Sequence, residues 1–109
     1  MLDVRIEKKN EAYVLTIKGH AEAGEYGKDI VCASASILAY TLAQTAQYMH
    51  EQGKLMKKPK IILKEGYSKV VMIPKEDFEA EVLYAYFFAQ VGYSLLAHNY
   101  RQYVQVKML

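Results

Sequence analysis

The sequence predicts an α+β fold in which one mainly antiparallel sheet carries two packed helices. Three observations predict it: two pairs of strand-like segments with short polar turns, a long alanine-rich segment between the pairs, and a second segment of helical spacing before a last strand-like segment. The resulting order is strand, strand, helix, strand, strand, helix, strand. It combines hairpins with crossover connections, as α+β domains do.

Alternation of apolar and polar side chains predicts the strands. The first hairpin joins residues 2–8 to residues 12–18 through a short polar stretch, and the second joins residues 61–64 to residues 67–73 across a Glu-Gly turn. Residues 100–108 alternate again and form the last predicted strand. Each of these segments therefore places its apolar side chains on one face of the strand, which can be buried, and its polar side chains on the other face, which can be exposed.

Helical spacing and end signals predict the two helices. The first is expected from Ile30 to about Gln52, with Asp29 as its N-cap and Gly53 at its end. The second is expected from Pro74 to about residue 98, with four acidic residues near its positive N-terminus. An apolar stripe along this second helix predicts a core or a dimer interface.

The composition is that of one globular domain spanning residues 1–109, with 52% hydrophobic and 24% charged residues. The 14 basic and 12 acidic residues leave a formal net charge of +2, so direct nucleic-acid binding is not predicted. The single cysteine excludes an internal disulfide. Charges at Asp3, Arg5 and Glu7 interrupt the apolar core that a secretory signal would need. We therefore expect a cytoplasmic protein. No apolar run approaches the roughly 18 to 20 residues of a membrane-spanning helix.

The histidine and the cysteine of the segment from residue 18 to residue 36 are the candidate catalytic pair. If Asp29 caps the helix, Cys32 takes the third helical position, where unpaired backbone N–H groups favour a thiolate and an oxyanion. His20 follows Gly19 at the end of a predicted strand, from which its side chain can reach the helix across a loop. A Cys and a His within hydrogen-bond distance are the essential pair of a cysteine protease.

Each of these residues also has a structural interpretation. A lone cysteine between Val31 and Ala33 is more often a small buried residue than a nucleophile. His20 alone is more often structural, and Asp29 is most simply a helix cap, with orientation of the histidine as its second interpretation. Ser36, one turn after the cysteine, either lines the site or bonds to the backbone.

No metal and no cofactor site is predicted. One cysteine and three scattered histidines, at His20, His50 and His98, lack the clustered spacing of zinc ligands. The glycines match neither the Walker nor the Rossmann pattern.

The motif residues together resemble a known family. "GHA", Gly27, "DIVCA" and Ser36, with twelve residues from His20 to Cys32, resemble the ribosomal-processing cysteine protease family Prp, also called the YsxB-like family. The resemblance covers nearly all of the chain. It implies that Cys32 is the nucleophile and that His20 is its base.

The resemblance also implies a substrate and an assembly. Gly19, Asp29 and Ser36 match other motif positions, while residues 33–36 depart from the family's usual Ala-Ala-Val-Ser. Known members remove the N-terminal extension of large-subunit ribosomal protein twenty-seven. The implied partner is therefore a short apolar peptide ending in aromatic residues, and the implied enzyme is a cytoplasmic homodimer.

The glycine-containing segment from Gly19 to Lys28 is predicted to be a mobile loop over the site. Gly24 and Gly27 would let it open and close, and Tyr26 would cover the bound peptide. We expect this loop to be disordered in the free protein or held away from a catalytically competent geometry.

Two other function classes stay open at the level of the sequence. The basic stretch 54–60 and the ten tyrosines are compatible with a non-catalytic, dimeric, ribosome-associated binding module. A thiol-dependent redox protein is the third interpretation, and it would need an external thiol because the chain has one cysteine.

Overall fold

The fold is a five-stranded sheet with two long helices on one side. The computed structural model describes residues 1–20 and 25–108, and residues 25–29 by their backbone only. The elements are β1 Leu2–Lys9, β2 Ala12–Gly19, α1 Glu25–Glu51, β3 Lys60–Lys64, β4 Tyr67–Met72, a 3-10 turn Glu76–Phe78, α2 Glu79–Asn99 and β5 Val104–Lys107.

The strands lie in the order β3-β4-β2-β1-β5. β1 and β2 form one antiparallel hairpin, β3 and β4 form the other, and β2 pairs with β4 between them. β5 returns beside β1 and is parallel to it. The predicted α+β class and the predicted element order are confirmed, and the sheet is mixed because of this last strand.

The first helix begins earlier than the sequence indicates. α1 starts at Glu25, so Asp29 lies inside the helix and its prediction as the N-cap is wrong. Glutamate and lysine favour a helix here, and one glycine in a helix interior costs only about 1 kcal/mol. The long apolar face of α1 outweighs that cost, so Gly27 does not mark a loop.

The bounds of the later elements also differ from the predicted ones. α2 begins at Glu79, after a 3-10 turn that follows Pro74, and β5 is limited to Val104–Lys107. Gly53 does end α1, with a φ of 73° and an N–H that donates to the His50 carbonyl at 3.0 Å. Of the predicted loop over the site, residues 21–24 lie outside the described residues, and residues 25–28 are helical.

The core lies between the helices and one face of the sheet. Alternate strand residues point into it, and the buried face of α1 contributes mainly alanines. The strand residues of this core are Leu2, Val4, Ile6, Tyr13, Leu15, Ile17, Val70, Met72 and Val104. Among the described residues no helix is long and apolar enough to cross a membrane.

Candidate active site

A cleft opens at the end of the sheet where β2 ends and β4 begins. Its volume is about 230 Å³. Its walls come from the end of β2, the first half of α1, and the turn between β3 and β4. The lining residues are Leu2, Ile17, Gly19, His20, Cys32, Ala35, Ser36, Ala39, Lys64, Glu65, Gly66, Tyr67 and Ser68.

Gly19 positions the histidine. Its φ of 94° favours glycine, and a Cβ at this residue would stand 2.5 Å from the carbonyl oxygen of Met1. Its N–H donates to the carbonyl of Gly66 at 3.0 Å. A side chain at Gly19 would therefore clash with the backbone of Met1, just before β1. The hydrogen bond from Gly19 to Gly66 ties the residue before His20 to the β3–β4 turn.

The turn between β3 and β4 forms the wall beside His20. Gly66 has a φ of 82°, and a Cβ added to it would lie 3.1 Å from Nε2 of the histidine. That distance is shorter than an ordinary van der Waals contact. Gly66 thus provides both the turn geometry and the space that the imidazole occupies.

Cys32 lies on α1, facing the cleft. Its side chain is half-buried and packs against the core. It is the eighth residue of α1, so its N–H belongs to the regular helical ladder. The prediction that unpaired N–H groups of the helix N-terminus surround this sulfur is therefore wrong, because the free groups lie in the first turn of the helix.

The cleft brings together four of the residues that the sequence singled out, namely Gly19, His20, Cys32 and Ser36. Among the described residues, no hydrogen bond joins the His20 imidazole to the Cys32 thiol, and His20 is exposed. The side chains of Tyr26 and Asp29 lie outside the described residues.

Sequence reasoning missed the third wall of the cleft. The sequence predicts only a hairpin at residues 64–68, yet all five of these residues line the site. The available signal was topological: an antiparallel pairing of β2 with β4 places Lys18 beside Tyr67, and so brings the turn beside His20. The lysine and the glutamate of this wall add charge to a cleft whose floor is apolar.

Within the part of the chain that the structure describes, no group of three or more His, Cys, Asp or Glu side chains is arranged to hold a metal ion. The cleft offers a thiol, an imidazole and three hydroxyls, with the ammonium of Lys64 and the carboxylate of Glu65 in its wall.

The chain is similar to a known protein family over nearly its whole length. A sequence profile described as "Cysteine protease Prp" matches residues 1–105. The chain belongs to the cysteine protease Prp family. No curated protein matches it significantly.

Solved structures of similar fold include Prp proteases. The ribosomal processing protease Prp from S. aureus, with a covalently linked product peptide, has a TM-score of 0.73 at 22% identity, and the match covers 100% of both chains. The same protease with a substrate peptide gives 0.71 at 20% identity, again over 100% of both. SMU.848 from Streptococcus mutans gives 0.72 at 23% identity, over 100% of this chain and 94% of that one.

Proposed function

We propose that this Prp-family chain is a cysteine endopeptidase in which Cys32 is the nucleophile and His20 the general base. The observation that carries the proposal is that the chain's single cysteine and a histidine line one cleft. His20 takes the thiol proton while sulfur bonds to the peptide carbonyl carbon. The imidazolium then protonates the leaving amine as the C–N bond breaks, and water hydrolyses the thioester.

The other motif residues take supporting roles in this proposal. Gly19 fixes the direction in which the histidine leaves the strand, and Ser36 lines the cleft one helical turn beyond the cysteine. Tyr26 and Asp29 precede the cysteine on the same helix, and we assign them to peptide binding and to support of the site.

The proposed substrate is the N-terminal extension of large-subunit ribosomal protein twenty-seven, cut in the cytoplasm. Two considerations support it: the family resemblance, and the S. aureus protease of the same fold, whose structure holds a substrate peptide. The apolar floor of the cleft, formed by residues such as Leu2, Ile17 and Ala39, suits an apolar peptide.

Mass spectrometry of a peptide that spans this extension tests the function. We expect cleavage at one bond by the wild type and none by Cys32→Ala or His20→Ala, with His98→Ala as the matched histidine control. Cleavage by a folded Cys32→Ala protein would contradict the proposal. Ribosome binding without any cleavage by the wild type would favour a non-catalytic binding module instead.

We also propose that the enzyme is a homodimer, paired through the outer faces of the helices. Tyr84, Phe87 and Phe88 cluster there with ring centroids 6.3 to 6.5 Å apart, and Phe88 is 69% exposed. Thr41 and Thr45 of α1 line a groove of about 510 Å³ beside them. A second copy offers the same aromatic surface, so a twofold axis would bury both.

Sedimentation velocity tests the dimer. Phe88→Glu should give monomers, because burial of a carboxylate in an apolar interface is costly. Met56→Glu is the control, since Met56 is 62% exposed and lies in the α1–β3 connection. A dimer that survives Phe88→Glu would contradict this interface.

A further inference from the structure

The face of the sheet that points away from the helices is strongly basic. The strand register assigns to it Arg5 and Lys9 of β1, Lys18 of β2, Lys60 and Lys64 of β3, Lys69 of β4 and Lys107 of β5. Its acidic residues are Asp3 and Glu7 alone. Seven basic against two acidic side chains leave it with five excess positive charges, whereas the whole chain has a net charge of +2.

The two acidic residues leave most of these cations unpaired. Asp3 lies 3.5 Å from Arg5, and Glu7 lies 3.5 Å from Lys9. The other five are lysines, and none makes an ion pair within the described residues: Lys18, Lys60, Lys64, Lys69 and Lys107. Because no described element packs on this face, their charges are available to a partner.

The register arranges the cations in rows across the sheet. Lys69, Thr16, Arg5 and Lys107 are neighbours on four adjacent strands. Lys18 lies two residues along β2 in the next row, at about 6.8 Å from Thr16, while adjacent strands are about 4.8 Å apart. A flexible chain with a regularly repeated negative charge can follow such rows.

Uncharged side chains lie between the cations of this face. Val14 points to this face and is only 5% exposed. Thr16 and Gln105 lie among the cations and carry a hydroxyl and an amide. These groups can hydrogen-bond a ribose 2′-hydroxyl, which DNA lacks.

We propose that this open sheet face binds single-stranded RNA through its phosphate backbone, with little dependence on sequence. The partner repeats a negative charge at short intervals and carries 2′-hydroxyl groups, and both features match the face. Lys64 is the one cation of this face that also lines the cleft, and the other six lie outside it, so RNA binding does not depend on the proposed proteolysis.

Fluorescence anisotropy with a labelled 20-nucleotide RNA of mixed sequence tests the proposal across a salt series. The sheet variant Lys60→Glu, Lys69→Glu, Lys107→Glu changes three strands and none of the cleft lining. We expect it to bind at least about tenfold more weakly than the wild type, with a salt slope reduced by about 2.

The matched control reverses three exposed cations elsewhere: Lys57→Glu, Lys75→Glu, Arg101→Glu. Its net charge equals that of the sheet variant, so affinity within about threefold of the wild type supports a local site on the sheet. Equal loss in both triple variants would overturn the proposal, because net charge alone would then explain binding.

Three further arms test the choice of partner. Equal affinity for DNA of the same sequence, equal affinity for poly-glutamate, or binding to phosphatidylserine vesicles without binding to RNA would each overturn the assignment to RNA. Thermal unfolding and peptide cleavage by the sheet variant should match the wild type. A failure of RNA binding is thereby distinguished from a failure of proteolysis or of folding.

Discussion

The two helices pack on the same sheet by different means. α1 faces the core mainly with alanines, such as Ala35, Ala39 and Ala46, whereas α2 buries the large side chains of Tyr86 and Tyr93. Small residues let a helix approach its neighbours closely, and large ones fill the space between layers. The helix that carries the candidate nucleophile is thus distinct from the helix that buries the two large tyrosines.

The tyrosines of α2 also form hydrogen bonds to β4 and to α1. The Tyr86 hydroxyl donates to the Val70 carbonyl of β4 at 2.9 Å, and the Tyr93 hydroxyl donates to the Ala35 carbonyl of α1 at 3.0 Å. Burial raises the pKa of both hydroxyls well above the usual value, so both stay protonated donors. α2 therefore holds the sheet and α1 in place, which leaves α1 free to present short side chains to the cleft.

The largest expected effect on stability comes from α2. Tyr86→Ala should lower the free energy of unfolding by about 3–5 kcal/mol, because it leaves a cavity in the core. Tyr86→Phe, which removes only the hydroxyl, should cost about 1 kcal/mol and leave cleavage intact. Urea denaturation measures both, and a loss below about 1 kcal/mol for Tyr86→Ala would contradict the role given to α2.

Replacing an alanine of α1 by a larger residue distinguishes an effect on core packing from an effect on the cleft. Ala39 is buried and lines the cleft, and Ala46 is buried on the same helix but does not line it. Leucine at either position should destabilise the fold by about 1–3 kcal/mol through overpacking. Only Ala39→Leu should also raise the KM for the peptide. An equal rise in KM for Ala46→Leu would show that the effect comes from overpacking and not from the cleft.

The glycine of the β3–β4 turn has a matched control elsewhere. Gly66→Ala and Gly53→Ala both place a side chain at positive φ, at a cost of about 1 kcal/mol. The new methyl at residue 66 would press on His20, whereas at residue 53 the nearest atom is the Lys75 ammonium at 4.0 Å. Cleavage should fall about tenfold for Gly66→Ala alone. Equal kcat values for the two variants would show that the turn does not position the histidine.

The smallest effect concerns the end of the sheet opposite the cleft. The Lys8 ammonium donates to the Glu79 carboxylate at 2.6 Å and the Tyr13 hydroxyl donates to it at 2.9 Å, which lowers the pKa of Glu79. A carboxyl group whose pKa is lower in the folded state stabilises the fold at pH values above its unfolded-state pKa of about 4.3. This contribution is lost as the pH falls through the folded-state pKa. The stability difference between wild type and Glu79→Gln should therefore shrink on acidification from pH 6 to pH 3. A constant difference, or one matched by Glu76→Gln, would contradict this contribution.

Features that depend on neighbouring residues could be predicted from the sequence better than features that depend on residues far apart in the chain. Both hairpins were predictable because alternation and turn residues act over a few positions, as in β1 and β2. The start of α1 was not, because Gly27 weakens a local helix signal that tertiary packing restores. The approach of Gly66 to His20 and the basic sheet face both depend on the pairing of β2 with β4, which joins residues from Lys18 and Tyr67 to Tyr13 and Met72, far apart in the sequence.

The most direct test of the central claim, that His20 and Cys32 act as partners, needs no substrate. Because the chain has one cysteine, its alkylation by iodoacetamide at neutral pH can be followed by mass spectrometry without ambiguity. If His20 takes the thiol proton, His20→Ala should slow alkylation about tenfold or more, while His98→Ala should react like the wild type. Equal rates for wild type and His20→Ala would show that the two side chains share a cleft without sharing a proton.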